Sequence, residues 1–221
     1  MPAGKHNSSF LELVVREYLR KLNRMGVSTA MVTTTSSTVI SLIIISTTVV
    51  TIHGSIMETK DGKDACDVCP CVLYDQGIYV DCSSRNLKTV PKNIPEASFV
   101  IDLNNNSLEY IPQNAFSNAT KLKCLFLAKN QIRELPESLL ANNTEIRQIR
   151  LSYNMLQELP ESIFASNGEL KTIEVLHNIL EKLPEKVFAY PNNLELINLE
   201  DNRLEHLPHN IFFNAPTLKT L

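Results

Sequence analysis

The sequence contains no tryptophan, only six glycines in 221 residues, and 6% aromatic residues, so large aromatic anchors for a compact core are few. No G-x-G-x-x-G or G-x-x-x-x-G-K-[ST] pattern occurs, which argues against a loop that cradles nucleotide phosphates. The formal net charge of −3, with 43% hydrophobic and 20% charged residues, excludes a basic nucleic-acid-binding protein and a long disordered tail. The length suits one domain, with room for an N-terminal targeting segment.

Charge separates the first part of the chain from the rest. Residues 1–54 carry five basic and two acidic side chains, a net charge of +3, whereas residues 55–221 carry sixteen and twenty-two, a net charge of −6. We predict a basic amphipathic segment over residues 1–24, with apolar residues at helical spacing. Residues 25–54 form a hydrophobic segment, rich in serine and threonine, without a charged side chain.

Two interpretations of residues 25–54 stay open. The densest apolar run, residues 39–52, has the length of a signal-peptide core and is short for a membrane span. A basic flank before a long uncharged window also fits an uncleaved signal anchor that holds the protein in the membrane. A buried core helix fits less well, because hydroxyl and β-branched residues form soluble helices poorly. Either favoured interpretation delivers residues 55–221 to the secretory lumen.

Four of the five cysteines are clustered at Cys66, Cys69, Cys71 and Cys82. A zinc site is the alternative to disulfides, but the crowded spacing and the absence of histidine from this stretch argue against it. Two disulfides are expected in a secretory compartment, and four cysteines allow three connectivities. Cys124 is left over, either as a half-buried strand residue or as an intermolecular link.

A repeat of period 24 dominates the remainder of the chain. Each copy reads L-x-x-L-x-L-x-x-N-x-L-x-x-L-P with small variations, and no insertion or deletion interrupts the five copies. A sixth begins at Leu218. The asparagines that close the pattern are Asn106, Asn130, Asn154, Asn178 and Asn202.

The spacing predicts one coil per repeat. The x-L-x-L-x part forms a short strand whose leucines share one face, and stacked coils align these strands into a parallel sheet. The asparagine amide is expected to satisfy open backbone groups of its own turn and of the next coil. A large apolar residue four positions after each proline fills the convex side of the core: Phe116, Leu140, Phe164, Phe188 and Phe212.

Residues 66–221 resemble the extracellular leucine-rich repeats of the typical 24-residue kind, with the cysteine-rich N-terminal cap found in Toll-like, Slit-like and Nogo-receptor-like ectodomains. The resemblance implies an α/β solenoid with a parallel β-sheet on its concave face. It divides this part of the chain into a stem over 55–65, a disulfide-stapled cap over 66–97, and repeats over 98–221. It also implies that Cys66 pairs with Cys71, and Cys69 with Cys82.

Such ectodomains usually close with a second cysteine cap, whereas this sequence stops four residues into a repeat. An open end would expose core leucines and an unpaired strand edge. We therefore expect a fragment, a truncated product, or an end that a partner covers.

The outward-pointing strand positions should line the concave face, the usual binding surface of a solenoid. Protein ligands favour arginine and aromatic anchors. Adjacent strands lie roughly 4.8 Å apart, so these side chains can also simply contact one another. The candidate ligand-binding residues are Phe126, Arg150, Tyr153, Glu174 and His177.

Three N-x-[ST] sequons in the lumenal part predict glycosylation at Asn105, Asn118 and Asn142. Asn118 and Asn142 occupy the same repeat position, whereas a glycan on Asn105 would block the first repeat from a ligand.

The sequence predicts a non-enzymatic recognition protein, secreted or held at the plasma membrane through residues 25–54, that binds a protein ligand or co-receptor on its concave face. The alternative is a matrix component resembling the small leucine-rich proteoglycans. A hydrolase formed from Ser152, His177 and Asp201 is not expected, because an open sheet offers no water-excluding pocket. No cofactor, metal or nucleic-acid partner is predicted.

Overall fold

The computed structural model describes residues 28–31, 41–45, 48–51 and 64–220, in two compact units that divide after Glu58. In the first unit, β1 (Ser28–Met31), β2 (Ser41–Ile45) and β3 (Thr48–Thr51) form an antiparallel sheet in the order β1-β2-β3. The predicted segment over residues 1–24 lies outside the described residues. Within the described part of the chain, no helix has the length and apolarity needed to cross a bilayer. The targeting role of residues 25–54 stays a prediction.

The second unit begins with a small disulfide-bonded cap. It contains helix α1 (Ala65–Val68) and the antiparallel hairpin of β4 (Cys71–Tyr74) and β5 (Gly77–Asp81). Gly77 takes a φ of +131° in the hairpin, and a Cβ at this position would collide with the carbonyl oxygen of Ala97. This turn therefore requires glycine.

Both cap disulfides follow the pairing that the resemblance implies, Cys66 with Cys71 and Cys69 with Cys82. Cys69 and Cys82 are buried, and Cys66 is exposed. The second bridge therefore belongs to the core of the cap, whereas the first ties the first turn of α1 to the start of β4.

Replacing Cys66 and Cys71 together by alanine should lower the free energy of unfolding of the full chain by about 2 kcal/mol, because their bridge closes a short loop. The residues are five positions apart. Removing the Cys69–Cys82 bridge, whose separation is thirteen, should cost about 1 kcal/mol more. Urea unfolding of both double variants measures the difference. The reverse order would show that loop length does not determine the loss.

Five parallel strands follow the cap: β6 (Ser98–Asp102), β7 (Cys124–Phe126), β8 (Gln148–Arg150), β9 (Thr172–Glu174) and β10 (Leu196–Asn198). The sheet runs in the order β10-β9-β8-β7-β6-β5-β4. From β6 onward each residue pairs with the one 24 positions later, as in Ile149 with Ile173. Thr220 forms an isolated bridge with Leu196, where the sixth copy begins.

The leucine-rich solenoid predicted from the period is confirmed. In each coil the two inward strand residues are buried or nearly so, as Leu125 and Leu127 show with 0% exposure. On the convex side the described chain forms turns rather than helices. Proline at the start of each turn fixes the backbone there, and the large apolar residue four positions later fills the core. Phe116, Leu140, Phe164 and Phe188 are fully buried, while Phe212 is partly buried.

The asparagine at the end of each strand pattern holds neighbouring coils together. Asn154 donates from Nδ2 to the carbonyls of Leu127 at 3.0 Å and Leu151 at 2.9 Å. Its Oδ1 accepts from the N–H of Ile132 at 3.0 Å. One buried amide thereby pairs backbone groups of its own coil and of the preceding one, which is how a turn can be buried without orphaned polar groups. The same arrangement repeats at Asn106, Asn130, Asn178 and Asn202.

Candidate functional site

The concave face is formed by the outward residues of β6 to β10 and by the residue that precedes each ladder asparagine. Parallel pairing in steps of 24 lines equivalent residues up in rows across the sheet. Two rows contain the predicted binding residues, and in both rows these residues contact one another.

The first row runs through Phe126, Arg150 and Glu174. The guanidinium carbon of Arg150 lies 4.8 Å from the ring centroid of Phe126, and its Nε lies 2.9 Å from Oε1 of Glu174. Gln148 also donates to that oxygen at 3.3 Å. Arg150 is therefore held flat between an aromatic ring and a carboxylate, with its side chain 42% exposed. This geometry restrains the guanidinium and leaves part of it open to solvent.

The second row runs through Lys129, Tyr153, His177 and Asp201. The Lys129 ammonium lies 5.9 Å from the Tyr153 centroid, and the rings of Tyr153 and His177 stack with centroids 4.3 Å apart. His177 Nε2 lies 3.1 Å from Oδ2 of Asp201. Tyr153 is 46% exposed, so its ring presents an apolar surface that is already fixed in orientation.

All four residues of the second row have positive φ angles, between 51° and 58°. Non-glycine residues seldom adopt this conformation, and it often marks a functional site. Here the same angle recurs just before the ladder asparagine in every repeat, including Asn105 at 56°. The conformation therefore belongs to the turn that the asparagine stabilises.

An acidic region lies at the cap end of the concave face. Burial, followed by the charges of Asp102 and Asp81, raises the pKa of Tyr79 to about 12. The Tyr79 hydroxyl lies 3.5 Å from Asp102 Oδ2. Burial also raises the pKa of Asp102, although the hydrogen bond that its carboxylate accepts from the Asn104 N–H lowers this pKa in part. A carboxylate in this position favours cationic groups on a ligand.

Ion pairs lie along the edge of the concave sheet at which the strands begin. Glu195 accepts hydrogen bonds from Lys219 at 2.8 Å and Lys171 at 2.9 Å, and these bonds with the two charges lower its pKa to about 2. Lys121 pairs with Glu145 at 2.9 Å in the same direction across the repeats. All three ion pairs lie at the surface and therefore add little stability.

Ser152, His177 and Asp201 do not form a serine-hydrolase arrangement. Ser152 is only 4% exposed, because its short side chain does not reach the surface between longer neighbours. Its hydroxyl has no hydrogen-bond partner within residues 64–220. His177 contacts Asp201, yet the serine that it would activate is not bonded to it.

All three sequon asparagines are exposed. Asn105 donates to the Ser84 hydroxyl at 2.9 Å, and Asn142 donates to the Ser117 carbonyl at 3.3 Å. A glycan would have to replace these contacts. Glycosylation stays a prediction.

Besides the ladder asparagines, two more asparagines are buried on the convex side, and sequence reasoning missed them. Asn143 donates to the carbonyls of Phe116 and Ala119, and Asn167 donates to those of Leu140 and Asn143. Both are fully buried. Their 24-residue spacing was a usable signal, and their role is to pair the turns of adjacent coils.

The repeats match the sequence model of a known family, the BspA type leucine rich repeat region, with six copies over residues 92–219. This match covers more than half of the chain. The chain is a leucine-rich repeat protein. The family match and the structure therefore both support the leucine-rich repeat solenoid.

Several proteins are similar to part of this chain. Leucine-rich repeat-containing protein 3 of Danio rerio is 36% identical over 62 residues, which is 28% of this chain and 23% of that protein. Leucine-rich repeat-containing protein 3B of Homo sapiens is 33% identical over 66 residues, 28% of this chain and 26% of that protein. Podocan of Mus musculus is 46% identical over 48 residues, 22% of this chain and 8% of that protein. The chain thus spans about a quarter or less of these relatives.

Proposed function

We propose that this leucine-rich repeat protein is a non-enzymatic recognition protein of the secretory pathway that binds a protein ligand on its concave face. The supporting observation is the preorganised group of Phe126, Arg150 and Tyr153. Arginine and aromatic side chains dominate the binding energy of protein interfaces, particularly when their conformations are already fixed.

Preorganisation here comes from the rows themselves. Arg150 is restrained by Phe126 and Glu174, and Tyr153 by Lys129 and His177. Because these side chains are already restrained, they lose less conformational entropy when a ligand covers them than free side chains would. The self-contacts and the binding role are therefore compatible, since the Arg150 side chain stays 42% exposed and Tyr153 stays 46% exposed.

The two cap disulfides support a secretory location. Disulfides persist in oxidising compartments and are rare in the cytosol. The basic flank and hydrophobic segment within residues 1–54 agree with entry into that pathway, whether residues 25–54 are cleaved or act as an anchor.

A cell-surface interaction screen with the multimerised full chain should identify a protein partner whose affinity falls at least tenfold with Arg150→Glu or Tyr153→Ala, as is usual for interface anchors. Binding to transfected cells that display single extracellular proteins is the measurement. Lys186→Glu is the matched control, because this exposed lysine lies between β9 and β10, outside the concave face. Melting curves of each variant separate lost binding from lost folding.

A partner that tolerates both concave variants and is lost with Lys186→Glu would place the interface elsewhere. Co-sedimentation with collagen fibrils, without any cell-surface partner, would instead support the matrix component. No partner in either assay would contradict the proposed function.

A further inference from the structure

Three basic residues form a row at the edge of the concave sheet where the strands begin. The N–H of Arg147 donates to the Lys123 carbonyl at 2.8 Å, and the N–H of Lys171 donates to the Arg147 carbonyl at 2.9 Å. These bonds set the three residues in register on adjacent coils, roughly 4.8 Å apart. We call Lys123, Arg147 and Lys171 the basic edge.

The protein neutralises only one end of the basic edge. Lys171 pairs with Glu195 at 2.9 Å, whereas the side chains of Lys123 and Arg147 form no ion pair within residues 64–220. The neighbouring carboxylate of Glu145 is bonded to Lys121, and the charges of Lys123 and Arg147 act on it as well, so one carboxylate faces three cations. Like charges side by side on a sheet are destabilising, so this arrangement costs stability that an anionic partner would recover.

The unpaired cations lie next to the predicted binding residues. Burial raises the pKa of Cys124, and the charges of Arg150, Arg147 and Lys123 act against that rise. The charges of all three cations thus act on Cys124, the first residue of β7. Arg150 is neutralised by Glu174, so the positive excess belongs to Lys123 and Arg147.

Exposed apolar surface continues the row toward the cap. The Lys123 N–H donates to the Phe99 carbonyl at 2.8 Å, and the Phe99 ring meets Tyr74 edge-on with centroids 6.0 Å apart. Tyr74 is 41% exposed, and its neighbour Leu73 is 77% exposed. An apolar patch of Tyr74 and Phe99 therefore adjoins Lys123, which forms no ion pair within residues 64–220.

We propose that the basic edge and this apolar patch bind a short acidic segment of the partner protein. An apolar residue of the segment packs on Tyr74, and its carboxylates pair with Lys123 and Arg147. The proposal rests on the proposed function and names the chemistry of its partner. A long polyanion such as a sulfated polysaccharide needs an unbroken row of cations. Phe99 bounds this row on one side, and on the other side Glu195 separates Lys171 from Lys219 and pairs with both.

The test measures fluorescence polarisation of a labelled peptide with one leucine and four glutamates, titrated with the full chain. Binding should weaken as salt rises, because exposed charges are screened. Lys123→Glu with Arg147→Glu should weaken it about tenfold, and the neutral pair Lys123→Gln with Arg147→Gln about threefold. The control, Lys182→Glu with Lys186→Glu, makes the same change in charge between β9 and β10 and should stay within about twofold of the unchanged protein.

Equal weakening by the control pair would show an effect of net charge alone and overturn the proposal. So would a heparin oligosaccharide that binds more tightly than the peptide and displaces it, or a peptide that does not bind. A partner from the screen that loses affinity with Arg150→Glu and keeps it with both double variants of Lys123 and Arg147 would contradict binding at the basic edge and leave the proposed function intact. Loss of that partner with the basic-edge pairs, at an unchanged melting temperature, supports both.

Discussion

Replacing Asn154 by leucine should lower the free energy of unfolding by about 3–5 kcal/mol, because the new side chain removes three good hydrogen bonds within the core. The carbonyls of Leu127 and Leu151 and the N–H of Ile132 lose their partner. Each buried group left unpaired costs about 1–3 kcal/mol, and leucine has the same branched arrangement of side-chain heavy atoms, so none of the loss comes from a cavity. Urea unfolding followed by circular dichroism measures the change.

Asn192→Leu is the matched control for this substitution. Asn192 is exposed in the loop before β10, and its side chain forms no hydrogen bond in residues 64–220. A change within about 0.5 kcal/mol is expected there. An equal loss in both variants, or no loss at Asn154, would show that the ladder amides do not stabilise the stack.

The register of the sheet was predictable because the repeat contains no insertions. A constant step of 24 residues leaves one way to stack the coils with every leucine inward, and the pairing of Ile149 with Ile173 follows from it. The ladder was predictable for the same reason, since a buried polar residue must be satisfied and its neighbours are fixed by the period. Sequence reasoning succeeded at the leucines and the ladder asparagines, which recur in every copy, but it missed the buried Asn143 and Asn167, which recur only twice.

The concave contacts could not be predicted in the same detail. Spacing brings Phe126, Arg150 and Glu174 side by side, but the choice of rotamer decides whether Arg150 faces a ring, a carboxylate or solvent. The burial of Ser152 also depends on the lengths of its neighbours rather than on strand alternation. Side chains at variable positions are constrained by their neighbours on adjacent coils. The repeat pattern does not predict those neighbours, because they differ from copy to copy.

The rows suggest how the concave face can bind selectively. A ligand that displaces Glu174 from Arg150 leaves a carboxylate without its partner, and must supply a better one than the face already has. The basic edge differs, since Lys123 and Arg147 have no ion pair within residues 64–220 that binding would break. We therefore expect the basic edge to govern the rate of association and the rows to govern dissociation.

Phe188→Ala should lower the free energy of unfolding by about 3–5 kcal/mol, the usual loss for a buried phenylalanine. Phe188 is fully buried on the convex side and stacks on Phe164 and Phe212, with centroids 6.3 and 5.8 Å away. Alanine would leave a cavity between two rings that each lose one partner, and the turns on either side cannot close it without shifting the coils. Urea unfolding measures this loss.

Two variants make the Phe188 result decisive. Phe213→Ala removes the same ring from a position that is 81% exposed and should change stability by less than about 0.5 kcal/mol. Phe188→Leu should cost less than about 1.5 kcal/mol, because Leu140 shows that the same convex position accepts leucine two coils earlier. If Phe188→Ala were no more damaging than Phe213→Ala, the convex aromatics would not contribute to the shared core, and the strands and the ladder amides alone would hold the coils together.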